Sequence, residues 1–179
     1  PALPTAPLQH IAAAVRGPAA STRDSLQASL TGTAMPPIER WDPPFCGDMD
    51  MEIRADGSWW HEGKAIKRAE LVRLFASILR REEDGHYYLV TPVEKVRIRV
   101  ALHPLIVVDA EPIQGCQPDT LMLTLNTGGE VPLNAEHPLT TEPQASDAAC
   151  VSLCRGLSAL FSRPAWYRLV AHIGDSGAI

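Results

Sequence analysis

Residues 46–100 read CGDMDMEIRADGSWWHEGKAIKRAELVRLFASILRREEDGHYYLVTPVEKVRIRV and hold the clearest structural pattern of the 179-residue chain. From Met49 to Arg54, apolar residues alternate with charged ones, which is the two-residue period of a half-buried strand. The Asp56-Gly57 pair that follows is typical of a hairpin turn, because both residues tolerate positive φ. Ser58–His61 then returns as a second strand, so the block is expected to open with a β-hairpin.

One helix and two more strands are expected in the rest of this block. Residues 68–81 place their apolar side chains at i, i+3, i+4, i+7 and i+8, which is one face of a helix. Two arginines at its end suit the negative end of the helix dipole. Residues 86–91 and 95–100 are predicted strands separated by Pro92. In the second of these strands, basic residues alternate with apolar ones.

The flanking segments extend this pattern into an α+β fold of antiparallel sheet units, each carrying a helix, in two related parts. Residues 1–44 are rich in Pro and small residues and are expected to form an N-terminal arm, with short helices at 8–16 and 24–30. Residues 45–103 form the first α+β domain in this interpretation. Residues 104–179 form a second, mostly β domain with a C-terminal helix.

An internal repeat supports two related parts. The segment IKRAELVRLFASI, residues 66–78, aligns with FSRPAWYRLVAHI, residues 161–173, with five identical positions. In each copy, short strands and a Gly turn precede the helix. The alignment predicts a duplicated strands-then-helix unit.

Charge and composition narrow the possible partners. The chain carries 16 Lys and Arg against 21 Asp and Glu, for a net charge of −5. Residues 46–100 balance ten bases with ten acids, whereas residues 101–179 hold three bases and eight acids. Without a basic stripe, no nucleic-acid partner is expected. No apolar run is long enough for a membrane span and no signal peptide is recognised at the start, so no membrane partner is expected.

The four cysteines, Cys46, Cys116, Cys150 and Cys154, form neither a C-x-x-C pair nor a zinc spacing. Cys150 and Cys154 would share one strand face, too far apart to bridge within it. This usage favours a reducing compartment and a cytoplasmic protein.

The central block resembles the bacterial DUF1285 family of proteins of unknown function. The motifs that carry the likeness are CGDMDMEIRADGSWWHEG, IKRAELVRLF and LVTPVEKVRIRV, and the likeness continues to Asn126, His137-Pro138 and Arg163-Pro164. It spans residues 37 to the C-terminus. The chain departs from the family pattern at residues 101–105, where an acidic pair before Pro-Phe is usual, and at Leu125, where Thr is commoner.

The resemblance implies a two-part fold with duplicated motifs, whose C-terminal part is similar to pleckstrin-homology-like β structures. It also implies a ligand pocket at the interface of the two parts. A nucleotide-like ligand and a role in signal transduction have been proposed for the family. The expected function is therefore a small-ligand-binding or signalling module.

Seven residues are candidates for ligand binding: Trp59, His61, Arg68, Arg73, Glu94, Lys95 and Asn126. Arg offers a planar fork that suits carboxylate or phosphate, and Trp offers a stacking face for a base. Asn126 opens an N-T-G-G turn whose backbone N–H groups suit a phosphate. The alternative is that the arginines pair with Asp50, Asp56 or Glu94 and serve the structure alone.

Other chemistry is less favoured by the pattern. No nucleophile-elbow, P-loop or dinucleotide motif is present, so no catalytic residue and no cofactor is assigned. Asp48 and Asp50 lie on one strand face and would suit a divalent cation, but a solvated face explains them as well, and no metal site is assigned. Two alternatives stay open: a protein-interaction domain without a small ligand, and a metal-dependent hydrolase using Asp48, Asp50 or His61.

Overall fold

The computed structural model describes residue 11, residues 36–113 and residues 120–175, with side chains to residue 173. It separates into two compact units. The first holds the described residues up to Arg54 together with Ser58–Ala101, and the second holds Ala55–Gly57 and the described residues from Leu102. Apart from Ile11, the helices expected at 8–16 and 24–30 fall outside the described residues, as does Cys116.

Over residues 36–101, the first unit consists of a six-stranded sheet and one α-helix. Its elements are β1 (Phe45–Ile53), β2 (Trp59–His61), β3 (Lys64–Ala65), α1 (Ala69–Ser77), β4 (Leu79–Arg81), β5 (Tyr87–Val90) and β6 (Lys95–Val100). The strand order is β3-β2-β1-β6-β5-β4. Strands β1 and β6 pair in parallel, whereas the other neighbours are antiparallel.

The second unit has a six-stranded sheet and a longer helix. Its elements are β7 (Leu105–Pro112), β8 (Leu121–Leu125), β9 (Glu130–Pro132), β10 (Leu139–Glu142), β11 (Ala148–Ser152), β12 (Ser158–Phe161) and α2 (Arg163–Asp175). The strand order is β10-β11-β12-β7-β8-β9. Here β7 and β12 form the parallel pair.

The two sheets repeat one topology. Each joins a three-stranded antiparallel meander to a second one through a parallel pair made by its first and last strands. The two-part α+β fold with duplicated sheet-plus-helix units is therefore confirmed. Both sheets are mixed rather than purely antiparallel. The helices occupy different places, since α1 follows the third strand of its unit and α2 follows the sixth.

The first helix is shorter than the sequence pattern suggests. It ends at Ser77, whose hydroxyl donates to the carbonyl of Leu74 at 2.7 Å, and residues 79–81 form β4 instead. Leu79 pairs with Leu89 of β5 and is fully buried. The apolar spacing is compatible with both conformations, and tertiary pairing selects the strand.

Each helix contributes an apolar face to the core of its own unit. Phe75 of α1 is fully buried and stacks on Trp59, with ring centroids 6.3 Å apart. Ala165 and Leu169 of α2 are fully buried in the second unit. Within the described ranges, no helix has the length and apolarity needed to cross a membrane.

Candidate functional site

Strand β1 carries a column of acids on one face of the first sheet. Asp48 and Asp50 are exposed and Glu52 is half-buried. Met51 and Ile53, which alternate with these acids along the strand, are fully buried. The alternation follows from the strand period, which sends successive side chains to opposite faces. One face of β1 therefore serves the core, and the other presents carboxylates.

Strand β6 places a column of arginines beside these acids. The parallel register sets Arg97 opposite Asp48 and Arg99 opposite Glu52. The guanidinium of Arg97 donates two hydrogen bonds to the carboxylate of Asp48, from Nε at 2.6 Å and from Nη2 at 2.8 Å. Arg99 donates from Nη2 to Asp50 at 2.8 Å.

The pairing of Arg97 with Asp48 shifts the pKa of both groups. The hydrogen bond from Arg97 is the main cause that holds the pKa of Asp48 below its ordinary value. The same bond raises the pKa of Arg97. Asp48 and Arg97 are therefore both charged at neutral pH, and their charges offset each other.

An aromatic side chain borders the acid column. Trp60 pairs with Glu52 across β1 and β2 and so lies on the same face. The guanidinium carbon of Arg54 sits 3.5 Å from the centre of the Trp60 ring, and Arg54 also donates to Glu52 at 2.7 Å. This stacking holds a third arginine beside the columns.

An open cleft of about 680 Å³ lies over these columns. Its charged lining consists of Asp48, Glu52, Arg54, Arg97 and Arg99, with His86 also present. The guanidinium-bearing side chains of Arg97 and Arg99 are 38% and 65% exposed. Apolar residues, among them Met49, Ile53 and Ile98, also line the cleft, but its exposed charged groups suit a small polar ligand.

A second polar network lies further along the same sheet. Glu82 accepts from Lys95 at 2.9 Å and also pairs with Arg80, whose guanidinium donates to the carbonyls of Ile38 and Trp41. Burial would raise the pKa of Glu82, but the hydrogen bonds from Lys95 and Arg80 outweigh it, and the pKa is lowered. This network ties residues 38–41 to β4.

Tyr88 adds a phenol to this region. Its hydroxyl donates to Asp84 at 2.6 Å, and this bond is the main reason that the pKa of Tyr88 is raised to about 12. The ammonium of Lys95 lies 5.0 Å from the centre of its ring. Lys95 is thus engaged with Glu82 and Tyr88.

The remaining sequence candidates of the first unit lie elsewhere. Trp59 belongs to the core against Phe75, and Glu94 is 7% exposed in the turn after β5. Arg68, immediately before helix α1, and Arg73, within the helix, are both exposed. None of these four lines the cleft.

The last two candidates are His61 and Asn126. Among the described residues, Nε2 of His61, at the end of β2, is buried without a hydrogen-bond partner, as is Nε1 of Trp59. Asn126, in the second unit, accepts from the amide of Ile106 at 3.0 Å and donates to the carbonyl of Gly57 at 3.2 Å. The amide of Asn126 therefore holds backbone together within that unit.

The metal interpretation finds no support in the described residues. Asp48 and Asp50, considered as ligands for a divalent cation, are each paired with an arginine of β6. Over the described part of the chain, no group of three or more His, Cys, Asp or Glu side chains is placed to hold a metal ion.

Comparisons with known proteins identify the family. Residues 36–101 match the family model described as "Domain of unknown function (DUF1285), N-terminal domain". Residues 104–177 match "Protein of unknown function (DUF1285), C-terminal domain". The chain belongs to the DUF1285 family. This confirms the resemblance seen in the sequence, and the family description assigns no activity.

Two solved structures of DUF1285 proteins are similar to this chain. The protein from Silicibacter pomeroyi DSS-3 is 39% identical, with a TM-score of 0.70 and coverage of 82% of each chain. The protein from Shewanella baltica OS155 is 30% identical, with a TM-score of 0.57, covering 69% of this chain and 91% of its own. No curated protein matches the chain.

Proposed function

We propose that the first unit binds a small anionic ligand in the cleft over β1 and β6. The observation that carries the proposal is the pair of exposed guanidinium groups of Arg97 and Arg99 inside that cleft. Arginine presents a planar fork of N–H donors that matches phosphate and carboxylate oxygens. Asp48 already occupies this fork, and its two short bonds illustrate the geometry a ligand anion would adopt.

The present ion pairs do not prevent such binding. Asp48 and Asp50 are 62% and 54% exposed, and an exposed ion pair is worth only about 0–1 kcal/mol. A ligand anion that replaces one carboxylate therefore loses little free energy in the exchange. The freed carboxylate returns to water.

The charge balance favours a small ligand over a polymer. Three acids of β1 face Arg54, Arg97 and Arg99, so the face has little net field to attract an extended polyanion. Same-face residues on one strand are about 7 Å apart. A compact anion with two charged ends, such as pyrophosphate or a short dicarboxylate, is therefore suited to contact Arg97 and Arg99 together.

Thermal unfolding of the full chain tests this proposal. The panel consists of inorganic phosphate, pyrophosphate, linear and cyclic nucleotides, and short dicarboxylates, each with and without Mg²⁺. A compound present at about 100 times its Kd adds about 2.7 kcal/mol to the stability of the state that binds it. For a chain of this size, this raises Tm by several degrees.

Two matched arginine variants locate the site. Arg97→Gln removes a cleft guanidinium, whereas Arg73→Gln removes an exposed guanidinium of α1 that does not line the cleft. We expect the ligand-induced shift to disappear in Arg97→Gln and to persist in Arg73→Gln. The reverse pattern would move the site to the helix, and a flat panel would refute anion binding in this cleft.

Protein interaction is the alternative function, and one observation favours it. Trp166, Tyr167, Val170 and Ile173 of α2 are 38–71% exposed, an unusual number of large apolar side chains for one surface helix. A partner protein that covered this face would be lost on Val170→Lys. Tm should stay unchanged in that variant, because Val170 is already in contact with water.

A further inference from the structure

The second unit contains a serine, a histidine and a glutamate in sequential contact. Ser158 is the first residue of β12, and His103 lies just before β7. Oγ of Ser158 is 2.6 Å from Nδ1 of His103. Nε2 of His103 lies 3.1 Å from Oε2 of Glu142, at the end of β10, as a charge contact without hydrogen-bond geometry.

The carboxylate in this series is held in place from its other side. Oε1 of Glu142 accepts a hydrogen bond from the backbone amide of Gln144 at 3.0 Å. This bond caps the short 3-10 helix Pro143–Ala145, so the orientation of the carboxylate does not depend on the histidine. His103 itself is only 4% exposed, and Ser158 is half-buried.

The chemistry of the three groups determines which of them carries each proton. An unprotonated Nε2 at 3.1 Å from the carboxylate of Glu142 would set lone pair against lone pair, so we assign the ring proton to Nε2. In the neutral ring the other nitrogen, Nδ1, is then an acceptor and takes the hydroxyl proton of Ser158. A hydroxyl that donates to a base, with the base oriented by a third group, is the arrangement that activates a serine nucleophile.

We propose that Ser158 is an activated hydroxyl that accepts an acyl or phosphonyl group, with His103 as its base and Glu142 as the positioning residue. Oγ of Ser158 attacks the electrophilic carbon or phosphorus and forms the new ester bond. The hydroxyl proton passes to Nδ1 of His103, and the leaving group departs with the electron pair of the broken bond. The imidazolium formed is stabilised by Glu142. This proposal does not depend on ligand binding in the first unit.

Labelling of the full chain with a fluorophosphonate tests the proposal, because the probe needs a nucleophilic serine and releases fluoride. The covalent adduct is detected by intact-protein mass spectrometry and located by peptide mapping. We expect one adduct, on Ser158, which is absent in Ser158→Ala. Ser152 is the matched control, since it pairs directly opposite Ser158 between β11 and β12 and is also half-buried. Ser152→Ala should label at the wild-type rate.

The roles of His103 and Glu142 are tested by the rate of fluorophosphonate labelling. His103→Gln should slow labelling at least a hundredfold, as expected when a general base is lost. Glu142→Gln keeps the oxygen that caps Gln144 but loses the charge, and it should slow labelling with unchanged Tm. It therefore decides the matter even if His103→Gln unfolds. An unlabelled wild-type protein, or equal rates in wild type and Glu142→Gln, would overturn the proposal.

Discussion

Two glycines in hairpin turns form a pair that tests how closely the Asp56-Gly57 turn is enclosed. Gly57 and Gly63 both have positive φ, +80° and +72°. A Cβ added at Gly63 would meet nothing within 4 Å. A Cβ added at Gly57 would lie 2.6 Å from Cγ1 of Ile106 and 2.8 Å from Nδ2 of Asn126. Substitution by alanine therefore carries the same backbone strain at both sites and a collision at only one.

The expected magnitudes follow from these distances. A left-handed conformation costs an alanine about 1–2 kcal/mol. The restricted unfolded chain offsets about 0.4–1 kcal/mol of this. Gly63→Ala should therefore lose about 1 kcal/mol. Gly57→Ala adds an overpacking cost of about 1–3 kcal/mol and disturbs the hydrogen bond from Asn126 to the carbonyl of Gly57.

Urea unfolding of the two variants measures the difference. The tryptophan fluorescence transition should move to lower urea in Gly57→Ala by roughly twice as much as in Gly63→Ala, or more. Adding Ile106→Ala to Gly57→Ala removes one of the two colliding groups, so the double variant should lose less than the sum of the single ones. Equal losses at Gly57 and Gly63 would show that Ile106 and Asn126 do not enclose the first turn.

Two further predictions concern titration in the first unit. The pKa of Tyr88 is raised to about 12, so the stability that this residue contributes is fully present below about pH 10 and is lost as the pH rises through about 12. Phenolate absorbance should show one group that titrates near 12 in the wild type and is missing in Tyr88→Phe. If that group persists in Tyr88→Phe, the assignment is wrong. The pKa of Glu82 is lowered, so the stability that it contributes is present above the ordinary carboxyl range and is lost as the pH falls through the lowered value. Glu82→Gln should lower the free energy of unfolding by about 1–3 kcal/mol at pH 7 and reduce its dependence on pH in the acid range. An unchanged pH dependence would show that another group dominates.

Local pattern was sufficient to predict the elements that depend on near neighbours. The β-hairpin through Asp56-Gly57, the helix near residues 69–77 and the strand at Lys95–Val100 are all confirmed. Their signals are turn chemistry and period, which act over a few residues. The end of α1 was predicted wrongly, because the pairing of β4 with β5 decides it and that contact is invisible to local spacing.

The cleft shows a larger gap between sequence and structure. Both charged columns are visible in the sequence as alternating patterns, but their adjacency depends on the parallel pairing of β1 with β6, across more than forty residues. No turn residue signals that pairing. The two neighbouring tryptophans show the same difficulty, since Trp59 stacks on Phe75 in the core and Trp60 meets Arg54 on the charged face.

Calorimetric titration of pyrophosphate into wild type, Asp48→Asn and Arg97→Gln tests most directly whether the cleft binds anions. Asp48→Asn frees Arg97 from a competing carboxylate worth up to about 1 kcal/mol, so pyrophosphate should bind about fivefold more tightly. Arg97→Gln should abolish binding. Affinities that are the same in all three proteins would show that Arg97 and Asp48 form only a structural ion pair, and the proposed site would be wrong.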